Sequence, residues 1–371
     1  MKQQKQLTAW LLLFLIVLLL YPSVARSQTA LKLDDFEGAS IRVVQPGQTD
    51  PRIRYLWGQF SPNGTWDFTT EDKHDGSKSL KSIYTGGTNW QFQFYPNTGE
   101  VVNHYQYAKY FVTGSWANNT YNRLKFWIKV PAGVTQAKGG DNNFQFGTYT
   151  RCSTCDVTSA ESDGGHWYHH FDLAYTGAWE QMIIDFHPSH KRTSLSNSEE
   201  GVQQYPTGES GLNYFDLLTR FYLDFPYLTL PNPSNIYLDG FEFYTESNTE
   251  NEDQVYSVHA VYVPSTNTVK VGWLRNKNED SIKHDVKYSF SDIHQIGWNA
   301  ATPAPSGTDI TPPGSAGYNG MYYTTAAINV AGHSTLYIGI KPQNTALFKQ
   351  IAIPITEGAQ QPAAPSGLQV K

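Results

Sequence analysis

Two β-sandwiches in series are the fold class that this 371-residue sequence predicts, and three observations predict it. Short runs rich in Val, Ile, Thr, Tyr, Phe and Trp alternate apolar with polar residues, the period of a strand with one buried face. Clusters of Gly, Asn and Ser, such as TGGTN and AKGGDNN, break these runs at short intervals. No segment carries the period of an amphipathic helix. Aromatic residues make up 14% of the chain and charged residues only 16%, which suits a chain built of partly covered sheets.

The first 27 residues read as an export signal. Lys2 and Lys5 precede an apolar run from Ala9 to Leu20, and Pro22, Ser23 and Ala25 supply a small-residue exit. Cleavage after Ala25 and after Ser27 both fit, and either gives a secreted, extracellular chain. The run is shorter than the roughly 20 residues that span a bilayer, so no membrane association is expected once the signal is removed. Loss of Lys2, Lys5 and Arg26 takes the net charge from −6 (27 cations, 33 anions) to −9 (24 and 33). An acidic chain without a basic run argues against a nucleic-acid partner.

From residue 31 to 246 the expected strands follow closely: LKSIY (80–84), NWQFQFYP (89–96), RLKFWIKV (123–130), NFQFGTYTR (143–151), HWYHHFDL (166–173), EQMIIDFHP (180–188), TRFYLDF (219–225) and NIYLDGFEFY (235–244). Their number suits a sandwich of two antiparallel sheets. ESNTENEDQ (246–254) is polar, acidic and turn-rich, the natural linker. Six further runs follow between 254 and 356: VYSVHAVYVP, TVKVGWLR, HDVKYSFSDI, GMYYTTAAINV, TLYIGIKP and KQIAIPI. They fit a smaller sandwich of immunoglobulin or fibronectin type. Between them, the Pro/Gly-rich stretch 300–320 cannot be a central strand. Residues 357–371 read as a linker and the opening of a further fibronectin type III repeat.

LDDFEGAS (33–40) and NIYLDGFEFY (235–244), with RLKFWIKV between them, resemble the jelly-roll carbohydrate-binding modules of extracellular glycan-degrading bacteria. The resemblance spans residues 31–246. It implies that the first and last strands pair and that a structural calcium sits near the pairing. Calcium takes six to eight hard oxygen ligands, and Asp34, Asp35, Glu37 and Asp239 are the donors the resemblance points to. No cofactor is required for binding. The implied partner is an extracellular polysaccharide.

Phasing the strands by their apolar positions leaves an unusual polar set. With Trp90, Phe92 and Phe94 inward, Gln91, Gln93 and Tyr95 face out. Phe144 and Phe146 inward leave Gln145, Tyr149 and Arg151. Met182, Ile184 and Phe186 inward leave Asp185 and His187. Phe221, Leu223 and Phe225 inward leave Arg220, Tyr222 and Asp224. Solvated faces favour Lys, Glu, Thr and Ser, whereas planar donors and aromatic rings suit sugar hydroxyls, carboxylates and ring faces. In HWYHHFDL the same phasing puts His166, Tyr168 and His170 on the polar face and His169 inward, and five of the eleven histidines lie between His166 and His190.

Three chemistries fit this set. The first is glycan binding without reaction, through Gln91, Gln93, Gln145, Arg151, His187, Arg220 and Tyr222. The second is a polysaccharide lyase acting on a uronic-acid polymer by β-elimination. That reaction needs a neutraliser for the carboxylate (Gln145 or Arg220), a base for the α-proton (His166 or His170) and an acid for the leaving oxygen (Tyr168 or Tyr149). NFQFGTYTR is faintly similar to the Tyr-containing strand of alginate lyases. The third is metal: Cys152, Cys155, His166 and His170 space as C-x2-C-x10-H-x3-H. In an exported chain Cys152 and Cys155 more simply form a disulfide loop. Glycoside hydrolysis ranks below glycan binding and the lyase, because no strand carries a paired-carboxylate motif.

Overall fold

The computed structural model describes residues 30–34, 36–37, 55–59, 64–84, 90–96, 123–132, 135–136, 144–150, 165–171, 173, 175–185, 218–225, 228–229, 233–244, 255–275, 281–312 and 320–355. Through residue 246 the strands are β1 (Ala30–Asp34), β2 (Tyr55–Gln59), β3 (Gly64–Thr69), β4 (Ser79–Tyr84), β5 (Trp90–Pro96), β6 (Arg123–Lys129), β7 (Thr135–Gln136), β8 (Phe144–Thr150), β9 (Gly165–Phe171), β10 (Trp179–Asp185), β11 (Leu218–Phe225), β12 (Leu228–Thr229) and β13 (Ser234–Tyr244). Beyond it come β14 (Val255–Val263), β15 (Thr268–Arg275), β16 (His284–Ser289), β17 (Thr302–Pro303), β18 (Gly320–Thr324), β19 (Thr335–Pro342) and β20 (Lys349–Pro354). All eight runs expected before residue 246 are strands, and so are the six expected after it.

The winding of the first part is that of a jelly roll. One sheet holds β4-β13-β6-β10, with β3 beside β4 and β1 beside β13, and the other is ordered β2-β5-β11-β8-β9. The first and last strands pair as expected, Leu31 opposite Phe243. Between the sheets, Leu124, Phe126, Ile128, Met182, Ile184, Leu238 and Phe241 meet Phe146 and Leu223, all almost fully buried. Phe126 stacks on Phe241 at 4.6 Å. Each such side chain contributes roughly 1.5–3 kcal/mol by leaving water. Leu238 and Phe241 are three apart, so regular alternation would send them to opposite faces. A bulge in β13 between Asp239 and Glu242 corrects this, with Gly240 at φ +60°.

The second part is a sandwich of three strands, β14-β15-β18, facing four, β17-β16-β19-β20. Trp273, Val271, Ile338, Ile340, Ile351 and Ile353 fill it. In the described residues 300–312 of the Pro/Gly stretch the strand is the two-residue edge strand β17, which suits its prolines. One helical turn, Ile293–Ile296, lies against β19.

The two sandwiches share a sheet. β14 pairs antiparallel with β10, Met182 opposite His259, so β18-β15-β14 extend the first sheet into one of nine strands. Charged groups are buried at this seam. Asp185 accepts from Arg123 Nε at 2.7 Å and from Lys349 Nζ at 2.6 Å, and it accepts the backbone N–H of Ser257 at 2.7 Å. Burial alone would raise the Asp185 pKa, but Lys349 and Arg123 outweigh it and hold the carboxyl well below the usual carboxylate range. Ser257 sits at φ +50° in a bulge of β14, a conformation a non-glycine residue holds only where its surroundings fix it. Nearby, His259 Nδ1 pairs with Glu180, and both side chains are buried.

Asp185 therefore does not belong with the outward polar set. Strand β10 lies in the other sheet, and the second sandwich covers its far face, leaving Asp185 2% exposed.

Candidate functional site

Strands β5, β11, β8 and β9 are neighbours in one sheet, and their register assembles the polar set into rows. Gln91, Asp224, Gln145 and His170 occupy successive cross-strand positions. The next row is Gly58, Gln93, Tyr222, Gly147 and Tyr168. A third contains Arg220, Tyr149 and His166. Directly opposed residues share a sheet face. The positions between these rows are held by Phe146 and Leu223, paired with each other and fully buried against the other sheet. By strand alternation, the three rows lie on the sheet's other face.

Ten of the residues singled out from the sequence thus fall on one face: Gln91, Gln93, Gln145, Tyr149, His166, Tyr168, His170, Arg220, Tyr222 and Asp224. His169 takes the register position opposite Phe146, on the inward side. A bulge between Leu218 and Arg220 interrupts the pairing with β8 just before Arg220, at the margin of the third row. Arg151, His187, Cys152 and Cys155 lie outside the described residues.

A second cluster surrounds the turn from Glu71 to Lys78, on the far side of the β4-β13-β6-β10 sheet. Asp239 Oδ2 accepts the backbone N–H groups of His74 and Asp75 at 2.9 and 3.0 Å. Its Oδ1 is buried without a hydrogen-bond partner. Burial and the nearby Asp75 carboxylate push the Asp239 pKa up to about 6, against the pull of the backbone donors. From the other side, Glu37 Oε1 accepts from Ser77 N at 2.7 Å and Lys78 N at 2.9 Å, and the Ser77 hydroxyl donates to its Oε2. These bonds lower the Glu37 pKa to about 2, the Ser77 hydroxyl contributing most. His74 stacks on Trp127 at 3.5 Å, and Asp72 accepts from Trp179 Nε1 at 2.9 Å.

Glu37 and Asp239, two of the four expected calcium donors, therefore grip the same turn. The orphaned Oδ1 of Asp239 is the kind of oxygen a hard cation takes. Asp35 and the side chain of Asp34 lie outside the described residues, and among those described no three His, Cys, Asp or Glu side chains group as a metal site. Sequence reasoning missed Asp72 and Asp75. The turn signal in DKHDGSKS (72–79) was their only trace.

No family model matches this chain, and no curated protein matches it. Among solved structures it is similar to the glycoside hydrolase domain of Endo-D from Streptococcus pneumoniae R6, at 8% identity and a TM-score of 0.25. That likeness covers 80% of this chain and 36% of the other, so the chain spans well under two thirds of that protein. At such a score it carries no argument. No helix among the described residues is long and apolar enough to cross a membrane.

Proposed function

We propose that this is a secreted carbohydrate-recognising protein that binds an extracellular polysaccharide on the β5-β11-β8-β9 face. The register carries the reading. It gathers Gln, Tyr, His and Arg positions from four strands scattered over about 135 residues of sequence, and amide, guanidinium and aromatic groups together suit sugar hydroxyls, carboxylates and ring faces. The smaller sandwich, of fibronectin type, serves as a companion module. A structural calcium held by Asp239, with Asp75 beside it, belongs to the same proposal. The cation would relieve a carboxylate that is buried with one oxygen unpartnered.

The third row favours polysaccharide lyase activity as a second reading. Arg220, Tyr149 and His166 hold consecutive positions, one residue of each type that β-elimination of a uronate requires: a neutraliser, an acid and a base.

One experiment separates the two. Purified protein is applied to gels of alginate, pectate, glucuronan and glycosaminoglycans, and the same polymers are followed for the absorbance of unsaturated uronate. Retention without new absorbance is the expected outcome for a binding protein. Absorbance that grows, and is lost in His166→Ala and Tyr149→Phe, would replace that reading with the lyase. Neither retention nor absorbance on any polymer removes the carbohydrate reading.

A further inference from the structure

Gly147 stands at the centre of the polar face, and nothing in the strand ladder requires a glycine there. Glycine inside a strand weakens it, and is found at bulges, at bends, or where another group comes close to the backbone. The ladder excludes a bulge. Pairing with β9 is unbroken from Phe144 to Thr150, and pairing with β11 is unbroken from Gln145 to Tyr149. Strand β8 also has a neighbour on each side, so Gly147 is not an edge position.

Elsewhere this protein shows what such glycines are for. At Gly272 in β15, a Cβ would stand 2.1 Å from the His259 imidazole. At Gly339 in β19, a Cβ would stand 2.9 Å from the Trp298 ring. In both, the missing side chain lets a planar ring lie against the sheet.

The positions on either side of Gly147 in its row are Tyr168 and Tyr222. They stand about 9–10 Å apart, twice the strand spacing, with Gln145 and Tyr149 each about 7 Å away along the strand. By register the frame has a tyrosine position on each side and Gln145 and Tyr149 along the strand, with a residue that carries no side chain at its centre.

We infer that Gly147 is the floor of the principal sugar subsite, where one pyranose ring of the polymer lies flat on the backbone between Tyr168 and Tyr222. This rests on the reading of the face as a glycan site. It adds that Gly147 sets the depth of that site, and with it the preference for a ring that can lie flat.

The test is Gly147→Val in the full secreted chain, with gel retention on whichever of the four polymers the wild type binds. A β-branched residue suits an interior strand better than glycine does. The expected result is therefore a melting temperature equal to or above wild type, together with at least tenfold weaker retention. Gly147→Ala is expected to show the same signs with a smaller loss, and Tyr168→Ala to lose retention while still folded. If both Gly147 variants melt well below wild type or fail to fold, a segment of the protein fills the space, and the inference is overturned. Equal retention by a well-folded Gly147→Val also overturns it, while leaving the reading of the face intact. A wild type that binds none of the polymers removes that underlying reading instead.

Discussion

Asp185 and Asp224 occupy nearly the same local sequence, MIIDF in one strand and FYLDF in the other, and the fold places them in different sheets with different strand neighbours. Asp185 ends β10, is 2% exposed, and answers two buried cations beneath the second sandwich. Asp224 sits in β11 between Gln91 and Gln145, in the row that ends at His170. Alternation reports which side of a strand meets its own partner sheet. It says nothing about what a later part of the chain lays over the other side.

The largest effect should come from breaking the buried member of this pair. Asp185→Ala leaves Arg123 and Lys349 buried without their carboxylate, and a loss of about 3–5 kcal/mol is expected in denaturant unfolding followed by far-UV circular dichroism. Asp224→Ala should stay within about 0.5 kcal/mol of wild type in the same experiment while weakening polysaccharide retention. Equal destabilisation by the two would erase the contrast.

The filled glycines come next. Gly272→Ala drives a methyl into the His259 ring and is expected to cost about 1–3 kcal/mol. Gly339→Ala, against Trp298, should cost less, and neither should change polysaccharide retention.

Two buried groups, one in each sandwich, also differ in the sign of their pH dependence. His284, buried in the second with no partner on either ring nitrogen, has its pKa pushed down to about 4 by burial and by Arg275. Its folded state favours the neutral ring, so stability is full above the ordinary histidine value near 6.5 and is lost as pH falls from there towards 4. Asp239, in the first, is raised to about 6, so its folded state favours the protonated acid, and stability falls as pH rises from about 4 through 6. The two windows overlap between about pH 4 and 6, so in melting temperature against pH His284→Phe should lose a rise with pH there and Asp239→Asn a fall with pH there. If Asp239 holds calcium, adding the ion should remove the second slope in wild type and leave Asp239→Asn unmoved.

The smallest effect is expected at the exposed end of the scale. Glu71→Ala removes a partner of Lys81 whose own side chain is 62% exposed, and it should shift stability by under about 0.5 kcal/mol.

Much of this architecture was legible beforehand. RLKFWIKV, NFQFGTYTR and TRFYLDF are strands within a residue or two of where their composition puts them, and the β1–β13 pairing matches the resemblance of the two segments that form it. The short β2 and β3 escaped notice because YLWGQ and GTWDFT carry glycines and too few alternations to stand out. The polar rows were legible as residue types but not as neighbours, since register is a property of paired strands. The buried seam was not legible at all. Lys349 lies 164 residues from Asp185, and a lone lysine opening KQIAIPI reads as a solvated strand end.

The shared sheet bears on how this chain can be cut. The acidic stretch 246–254 looks like a safe place to separate the two sandwiches, yet the hydrogen bonds of β10 run straight across to β14. A fragment ending there would expose the N–H and C=O groups of β10 as an open edge and leave Asp185 without Lys349. Open edges recruit other strands. Such a fragment is expected to self-associate, and the shortest well-behaved piece of this protein runs through β20.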